Sequence, residues 1–139
     1  MIAVIDTSVV VKWYAAEEDS LIARRLVGAD LVAPDLILVE LGHALWKKHR
    51  LEQLVAEQAH AGLRHLQETV ALLPSASLVT VALQRAFELD HAVYDCVFLV
   101  LAERLQLPLI TSDEKLVARC REQRHEGLVM SLREWFRND

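Results

Sequence analysis

The sequence predicts an α/β fold in which a central parallel sheet of about five strands is flanked by helices on both faces. Short, uninterrupted apolar runs, typical of strands buried on both sides, alternate with longer segments of helical periodicity. This alternation is the pattern of parallel sheets covered by helices. The 139 residues suit one domain over residues 1–139, because 53% are apolar and only 4 Gly and 3 Pro are present.

The first half of the chain is expected to form two strands and four helices. Ser8 and Asp35 are the expected N-caps of the first and third helices, since their side-chain oxygens accept hydrogen bonds from free backbone N–H groups. Pro74 stops the fourth helix. In chain order the predicted elements are a strand at 2–5, helices at 8–14 and 21–28, a strand at 31–33, and helices at 35–48 and 54–72.

The second half is expected to add three helices, two strands and a terminal turn. Ser131 and Glu134 have the spacing of a capping box for that turn. Ligands of open α/β sheets bind beyond the carboxyl ends of strands, where Asp6 and Asp113 both stand. The predicted elements are helices at 83–89 and 91–105, a strand at 107–111, a helix at 114–122, a strand at 128–130 and the turn at 132–136.

Charge and cysteine content exclude several classes of protein. The net charge of −5 argues against non-specific nucleic-acid binding, although cations held by carboxylates would offset part of it locally. Cys96 and Cys120 are too few for a disulfide framework and too far apart for a metal knuckle. The N-terminus lacks signal-peptide features, and the apolar run 96–102 is far shorter than the roughly 20 residues that span a bilayer. We expect a cytoplasmic protein without membrane attachment.

A purely structural role accounts only in part for the acids Asp6 and Glu40. Asp6 directly follows the first strand, where an Asx turn or an N-cap is the alternative to a functional role. Glu40 lies on an apolar helix face, where an isolated carboxylate is costly unless it is paired, neutral or bound to a metal. Its structural alternative is a partner within the same helix, either His43 or Lys47.

Asp95 and Asp113 complete the set of candidate acids. Asp95 is the only charged residue between Ala92 and Leu101, and only His91 in its predicted helix could neutralise it. Asp113 ends a strand and precedes a helix, so N-cap and functional interpretations both stay open. An oxygen-only set of this kind suits Mg²⁺ or Mn²⁺, and such sites catalyse phosphoryl transfer through activated water.

Two other enzyme classes also place an aspartate after the first strand. A haloacid-dehalogenase-type phosphatase needs a second aspartate two residues after Asp6, and Ser8 stands there. A response-regulator receiver needs adjacent acids after the first strand and a phosphorylated aspartate after the third. The strongest acids in this chain lie on helices, which disfavours both classes.

At these residues the sequence resembles the PIN-domain family and, within it, the VapC-type toxins. The resemblance runs in family order over essentially the whole chain. The matching segments are VIDTS at 4–8, APDLILVE at 33–40 together with Leu45, YDCVFLVLA at 94–102 and LITSDEKL at 109–116.

The resemblance implies an endoribonuclease that acts as a homodimer on RNA and is inhibited by a cognate VapB-type antitoxin. It implies that Asp6, Glu40, Asp95 and Asp113 hold Mg²⁺ or Mn²⁺. It also implies that the hydroxyls of Thr7 and Thr111 orient either those acids or the metal-bound water. Candidates for contacting substrate phosphates are Lys12, Lys47 and Arg50, although the last two equally suit a solvated helix end. His43 stands where relatives commonly carry Asn.

A binding module is the non-enzymatic alternative. Such a PIN fold would mainly grip an antitoxin and, through it, operator DNA. It predicts a damaged set of acids, whereas all four acidic positions are filled here.

Overall fold

The computed structural model describes residues 1–123 and 128–137. Over these residues the chain forms five short strands and eight α-helices. Two 3₁₀ turns, Arg24–Leu26 and Ala76–Leu78, follow α2 and precede α5. The strands are β1 Ala3–Ile5, β2 Leu31–Pro34, β3 Ala71–Leu73, β4 Leu109–Thr111 and β5 Val129–Ser131. The helices are α1 Thr7–Tyr14, α2 Ser20–Ala23, α3 Leu36–Arg50, α4 Ala56–Thr69, α5 Val79–Leu89, α6 Val93–Leu105, α7 Glu114–Glu122 and α8 Leu132–Arg137.

The five strands form one parallel sheet in the order β3-β2-β1-β4-β5, which confirms the predicted architecture. Val4 of β1 is in register with Val32 of β2 on one side and with Leu109 of β4 on the other. The chain therefore leaves β1 in one direction and later returns to its opposite side. Because of this reversal, a crevice opens beyond the carboxyl ends of β1 and β4, where α/β folds bind ligands.

Helix α6 forms the most deeply buried part of the core. Its seven consecutive residues from Cys96 to Ala102 are all buried, as expected for a helix that is apolar on every side. It packs across β1, β2 and β4 and is covered by α5. Right-handed crossovers place α1 and α3 on the opposite face of the sheet, where these two helices contact each other.

The sequence-based prediction missed strand β3. The helix predicted at 54–72 ends at Thr69, and Ala71–Leu73 forms an edge strand parallel to β2 instead. No Gly or Pro separates the helix from this strand, and three apolar residues fit either structure. Pairing of Leu73 with Pro34 decides between them, and that pairing is a tertiary contact.

Other element boundaries also differ from the prediction. The helix predicted at 21–28 is only Ser20–Ala23 followed by the 3₁₀ turn. Helix α5 begins at Val79, directly after the 3₁₀ turn that ends at Leu78, and therefore starts before the predicted residue 83. Helix α6 begins at Val93, which leaves His91 in the preceding connection.

Of the helix N-caps predicted from the sequence, one is confirmed and two differ in the structure. Asp6, not Ser8, occupies the N-cap position of α1. Asp35 makes no capping bond to α3; its carboxylate binds Ser75, whose hydroxyl accepts a 3.0 Å hydrogen bond from the backbone N–H of Leu36. The capping box at Ser131 is confirmed, because this residue and Glu134 exchange two 3.2 Å side-chain-to-backbone hydrogen bonds. Among the helices of residues 1–123 and 128–137, none is long and apolar enough to cross a membrane.

Candidate metal centre

The fold brings the four predicted acids together from four different elements. Asp6 follows β1, Glu40 lies in α3, Asp95 lies in the first turn of α6, and Asp113 follows β4. The charges of Asp95 and Asp113 both raise the pKa of Asp6, and those of Asp95 and Asp6 raise the pKa of Glu40. The acids therefore share one negative cluster at the crevice beside β1 and β4.

Asp6 is the most enclosed member of this cluster, with only 6% of its surface exposed. Its two carboxylate oxygens accept hydrogen bonds from the hydroxyls of Ser8 and Thr111. Burial raises its pKa from 3.8 to about 6, despite these hydrogen bonds, which favour the ionised form. Its side chain does not cap α1, so the simple N-cap interpretation is wrong for the carboxylate.

Glu40 is half-buried and is held from a distant part of the chain. Thr7 Oγ1 donates a 2.9 Å hydrogen bond to its Oε1. Burial raises the pKa of Glu40 from 4.5 to about 7, and the charges of the neighbouring aspartates act in the same direction. Among the described residues, neither His43 nor Lys47 forms a hydrogen bond or ion pair with Glu40, so the alternative of a partner within the helix is not realised.

Asp95 is paired with His91, the residue that its surroundings in the sequence suggested. His91 Nε2 lies 2.8 Å from Asp95 Oδ2, and the imidazole is 6% exposed. Burial raises the pKa of Asp95, whereas the His91 hydrogen bond lowers it and the charge of Asp113 raises it. Asp95 therefore sits at the border between the apolar helix α6 and the acidic cluster.

Asp113 is an N-cap, which is one of the two roles that the sequence left open, and its second oxygen also faces the acidic cluster. Its Oδ1 accepts 3.1 Å hydrogen bonds from the backbone N–H groups of Lys115 and Leu116, which caps α7. Its Oδ2 faces the cluster and lies 3.4 Å from His91 Nε2. One carboxylate thus starts a helix with one oxygen and contributes to the candidate site with the other.

Several supporting residues were not assigned to the site from the sequence. Ser8 Oγ accepts a 2.8 Å hydrogen bond from the N–H of Ser112, which ties the start of α1 to the end of β4. Ser112 Oγ is buried without a hydrogen-bond partner in the part of the chain that the structure describes. Arg119 Nη1 donates a 3.2 Å hydrogen bond to His91 Nδ1. Serines and an arginine on a helix carry no sequence signal for such contacts.

The residues present fit a hard divalent cation. The carboxylates supply an oxygen-only donor set, which Mg²⁺ and Mn²⁺ prefer. Among the described residues, the ligand-capable atoms that lie within 4.8 Å of one another belong to His91, Asp95 and Asp113, and Asp6 and Glu40 are not part of this close group. A bound cation would relieve the repulsion and burial that raise the pKa values of Asp6 and Glu40.

The three basic residues predicted to contact substrate have different surroundings. Lys12 Nζ donates a 2.8 Å hydrogen bond to the carbonyl of Glu18 and lies 3.7 Å from the carboxylate of Glu17, which favours a structural role for this lysine. Lys47 is exposed and lines a cavity of about 400 Å³ together with Glu40. The Arg50 guanidinium lies over the Trp46 ring.

The fold and the acid cluster together define an α/β protein with a carboxylate site at the ends of its central strands. Comparison with known proteins identifies the family. The family model described as "PIN domain" matches residues 3–122, so the chain belongs to the PIN-domain family. It is 31% identical over 120 residues to "Ribonuclease VapC1" of Mycobacterium tuberculosis, covering 83% of this chain and 88% of that protein. It is 34% identical over 119 residues to "Ribonuclease VapC3" of Pyrobaculum aerophilum, covering 81% and 90%. The resemblance to VapC-type proteins is confirmed.

Solved structures share the fold. The crystal structure of PAE2754 from Pyrobaculum aerophilum superposes with a TM-score of 0.73 at 22% identity, covering 96% of this chain and 90% of that one. A toxin–antitoxin complex from Klebsiella pneumoniae gives a TM-score of 0.67 at 14% identity, covering 94% and 97%. Mycobacterium tuberculosis VapC20, described as a sarcin–ricin loop cleaving toxin, gives 0.66 at 16% identity, covering 84% and 94%.

Proposed function

We propose that this protein is a Mg²⁺- or Mn²⁺-dependent endoribonuclease and the toxin of a VapBC-type toxin–antitoxin pair. The observation that carries the proposal is the convergence of Asp6, Glu40, Asp95 and Asp113 beside β1 and β4. Buried acids with raised pKa values at a strand-end crevice are typical of functional sites. The relatives named ribonucleases support RNA as the substrate.

In this proposal the four acids hold the cation, and neighbouring side chains hold the acids. When bound, the divalent ion supplies Lewis acidity, which makes water a better nucleophile and offsets charge on the phosphodiester. Thr7 keeps Glu40 in place, Thr111 does the same for Asp6, and His91 restrains Asp95.

The proposal includes two protein partners, a cognate VapB-type antitoxin and a second copy of the chain. The toxin–antitoxin complex with the same fold supports the first of these partners. Homodimerisation follows from the family resemblance, and sedimentation or light scattering of the purified protein tests it directly.

The test is cleavage of a panel of structured RNAs by purified protein in Mg²⁺, in Mn²⁺ and in chelator. An Asp95→Asn variant removes one acid of the cluster. Glu114→Gln is the matched control, because Glu114 is an exposed acid next to Asp113 whose side chain forms no ion pair or hydrogen bond with the described residues. We expect metal-dependent cleavage by wild type and Glu114→Gln, and none by Asp95→Asn.

Two results would contradict the proposal. Cleavage that survives both chelator and Asp95→Asn would not come from this site. Absence of cleavage by folded protein that binds Mn²⁺ would favour the binding module, whose function is to grip an antitoxin.

A further inference from the structure

The exposed side of α3 carries a stack of three side chains just beyond Glu40. The rings of His43 and Trp46 are stacked, with centroids 5.5 Å apart and planes inclined by 27°. The guanidinium carbon of Arg50 lies 5.0 Å from the centre of the Trp46 ring. All three residues are exposed, and 49% of the Trp46 surface is accessible. Trp46 also lines an apolar cavity of about 260 Å³ with Leu45 and Leu63, so packing accounts for part of the indole and leaves about half of its surface accessible.

The stack adjoins a groove that begins at the acidic cluster. A cavity of about 400 Å³ is lined by Glu40, His43 and Lys47, among others. A second cavity of about 240 Å³ is lined by Lys47, Arg50 and Leu51, so the two share Lys47 and Leu51. Both cavities therefore lie along α3, between Glu40 of the acidic cluster and the basic end of the helix.

The chemistry of this path matches single-stranded nucleic acid. Unpaired bases stack on aromatic rings and on guanidinium planes, and this contact tolerates any base. Among the described residues Lys47 has no ion-pair or hydrogen-bond partner, so its ammonium is available to a phosphate. Four consecutive basic or imidazole side chains end the helix, from Lys47 to Arg50, in a protein whose net charge is −5.

We propose that His43, Trp46 and Arg50 form a nucleobase subsite. Unpaired bases next to the cleaved phosphate of RNA stack on the outer faces of this set, and Lys47 binds a backbone phosphate in the groove. The proposal rests on the nuclease function, since Glu40 at the head of the groove is where the cleaved phosphate is expected. The guanidinium of Arg50 over an aromatic ring, with the exposed ammonium of Lys47 nearby, favours nucleic acid over an apolar protein partner as the occupant.

The test separates base stacking from charge. The measurements use the Asp95→Asn variant, which is expected not to cleave RNA. Its affinity for a fluorescent oligoadenylate of about ten nucleotides is compared with its affinity for an abasic ribose-phosphate chain of the same length and charge. We expect the oligoadenylate to bind roughly tenfold more tightly, as base stacking on an aromatic side chain provides. Adding His43→Ala or Trp46→Ala should remove this difference.

Matched variants identify the cause of any change. His43→Phe and Trp46→Phe keep aromatic planes and should retain the preference for bases. Arg64→Ala removes an exposed cation on α4 and should weaken both probes equally or not at all. Thermal unfolding of each variant shows whether Trp46→Ala changes binding by destabilising the protein. If it does, the binding preference of the His43→Ala variant tests the subsite instead.

The outcomes separate this proposal from the nuclease function. Equal binding of both probes by the parent, or a base preference that survives His43→Ala and Trp46→Ala, overturns the subsite while leaving metal-dependent cleavage intact. Failure of wild-type cleavage in metal overturns the nuclease function itself, whatever the binding data. If the alanine variants keep RNA affinity but lose a co-expressed antitoxin, the surface is a protein interface and the subsite is wrong.

Discussion

His91 Nε2 lies 2.8 Å from Asp95 Oδ2, and the direction of this hydrogen bond follows from a third residue. Arg119 Nη1 lies 3.2 Å from His91 Nδ1, and a guanidinium can only donate. Nδ1 must therefore accept, which leaves the proton on Nε2, where it is donated to Asp95. His91 thus offers the cluster an N–H group and not a lone pair. This geometry makes it a positioning residue for Asp95 and not a cation ligand.

Removing the imidazole is expected to weaken cation binding without removing a ligand. His91→Ala should lower the Mn²⁺ affinity roughly 10- to 100-fold, as loss of a group that orients a metal ligand does. His91→Gln, whose amide can still donate to Asp95, should restore part of that affinity. Calorimetric titration with Mn²⁺ measures both variants. Wild-type affinity in His91→Ala would show that Asp95 needs no such restraint.

The two oxygens of Asp113 can be separated by substitution. Asp113→Ser keeps an oxygen for the backbone N–H groups of α7 but lacks one to face His91. We expect Asp113→Ser to unfold with nearly the wild-type free energy, and Asp113→Ala to lose about 0.5–2 kcal/mol, because Ser and Asp are similar N-caps. Both should bind Mn²⁺ more weakly.

Urea denaturation and Mn²⁺ titration of the same preparations measure the two effects. A large loss of stability in Asp113→Ser would show that its hydroxyl does not cap the helix. Unchanged Mn²⁺ affinity in both variants would remove Asp113 from the metal site.

Stability without metal is expected to fall as the pH rises. The folded-state pKa values of Asp6 and Glu40 are raised to about 6 and about 7, above their ordinary values of 3.8 and 4.5. The folded state therefore binds these protons more tightly than the unfolded state does. This contribution is complete below about pH 4 and is lost as the pH rises through 6 to 7. For the buried Asp6 it amounts to about 1–3 kcal/mol.

Urea denaturation in chelator from about pH 5 to about pH 8 measures this dependence. Glu40→Gln cannot ionise and still offers an oxygen to Thr7, so its stability should fall less steeply than that of wild type. Saturating Mn²⁺ should offset the loss, because a cation binds the ionised acids. Equal slopes for wild type and Glu40→Gln in chelator would contradict the raised pKa of Glu40.

Lys12 and Lys47 are expected to differ although both were candidates for binding substrate. Lys12→Met removes the hydrogen bond to Glu18 and should cost about 1 kcal/mol of stability with little change in KM. Lys47→Met should leave stability unchanged and raise KM several-fold, since its ammonium lies in the groove without a partner among the described residues. Unfolding curves and steady-state RNA cleavage distinguish the two. If only Lys12→Met raised KM, Lys12 and not Lys47 would be the lysine that binds the substrate.

The sequence identified as candidate site residues those acids whose neighbours along the chain are apolar, because a charged group is unfavourable in such surroundings. Asp95 stands out because its neighbours are apolar, and the structure places it in the first turn of the buried helix α6. Asp6 was predictable because it ends an apolar strand. The third strand was not predictable, since Ala71–Leu73 continues an apolar helical pattern without a turn signal and is defined only by pairing with β2.

Periodicity and composition by themselves determined the α/β class, the strands β1, β2, β4 and β5 and the candidate acids, because burial leaves a local pattern along the chain. The local contacts of Asp95 with His91 and of Asp113 with the start of α7 could be named from the sequence, whereas the tertiary structure alone decided the long-range contacts. Thr7 is 33 residues from Glu40, and Arg119 is 28 residues from His91. Hydrogen bonds over such separations depend on how strands are ordered and helices packed, and no local pattern in the sequence records that arrangement.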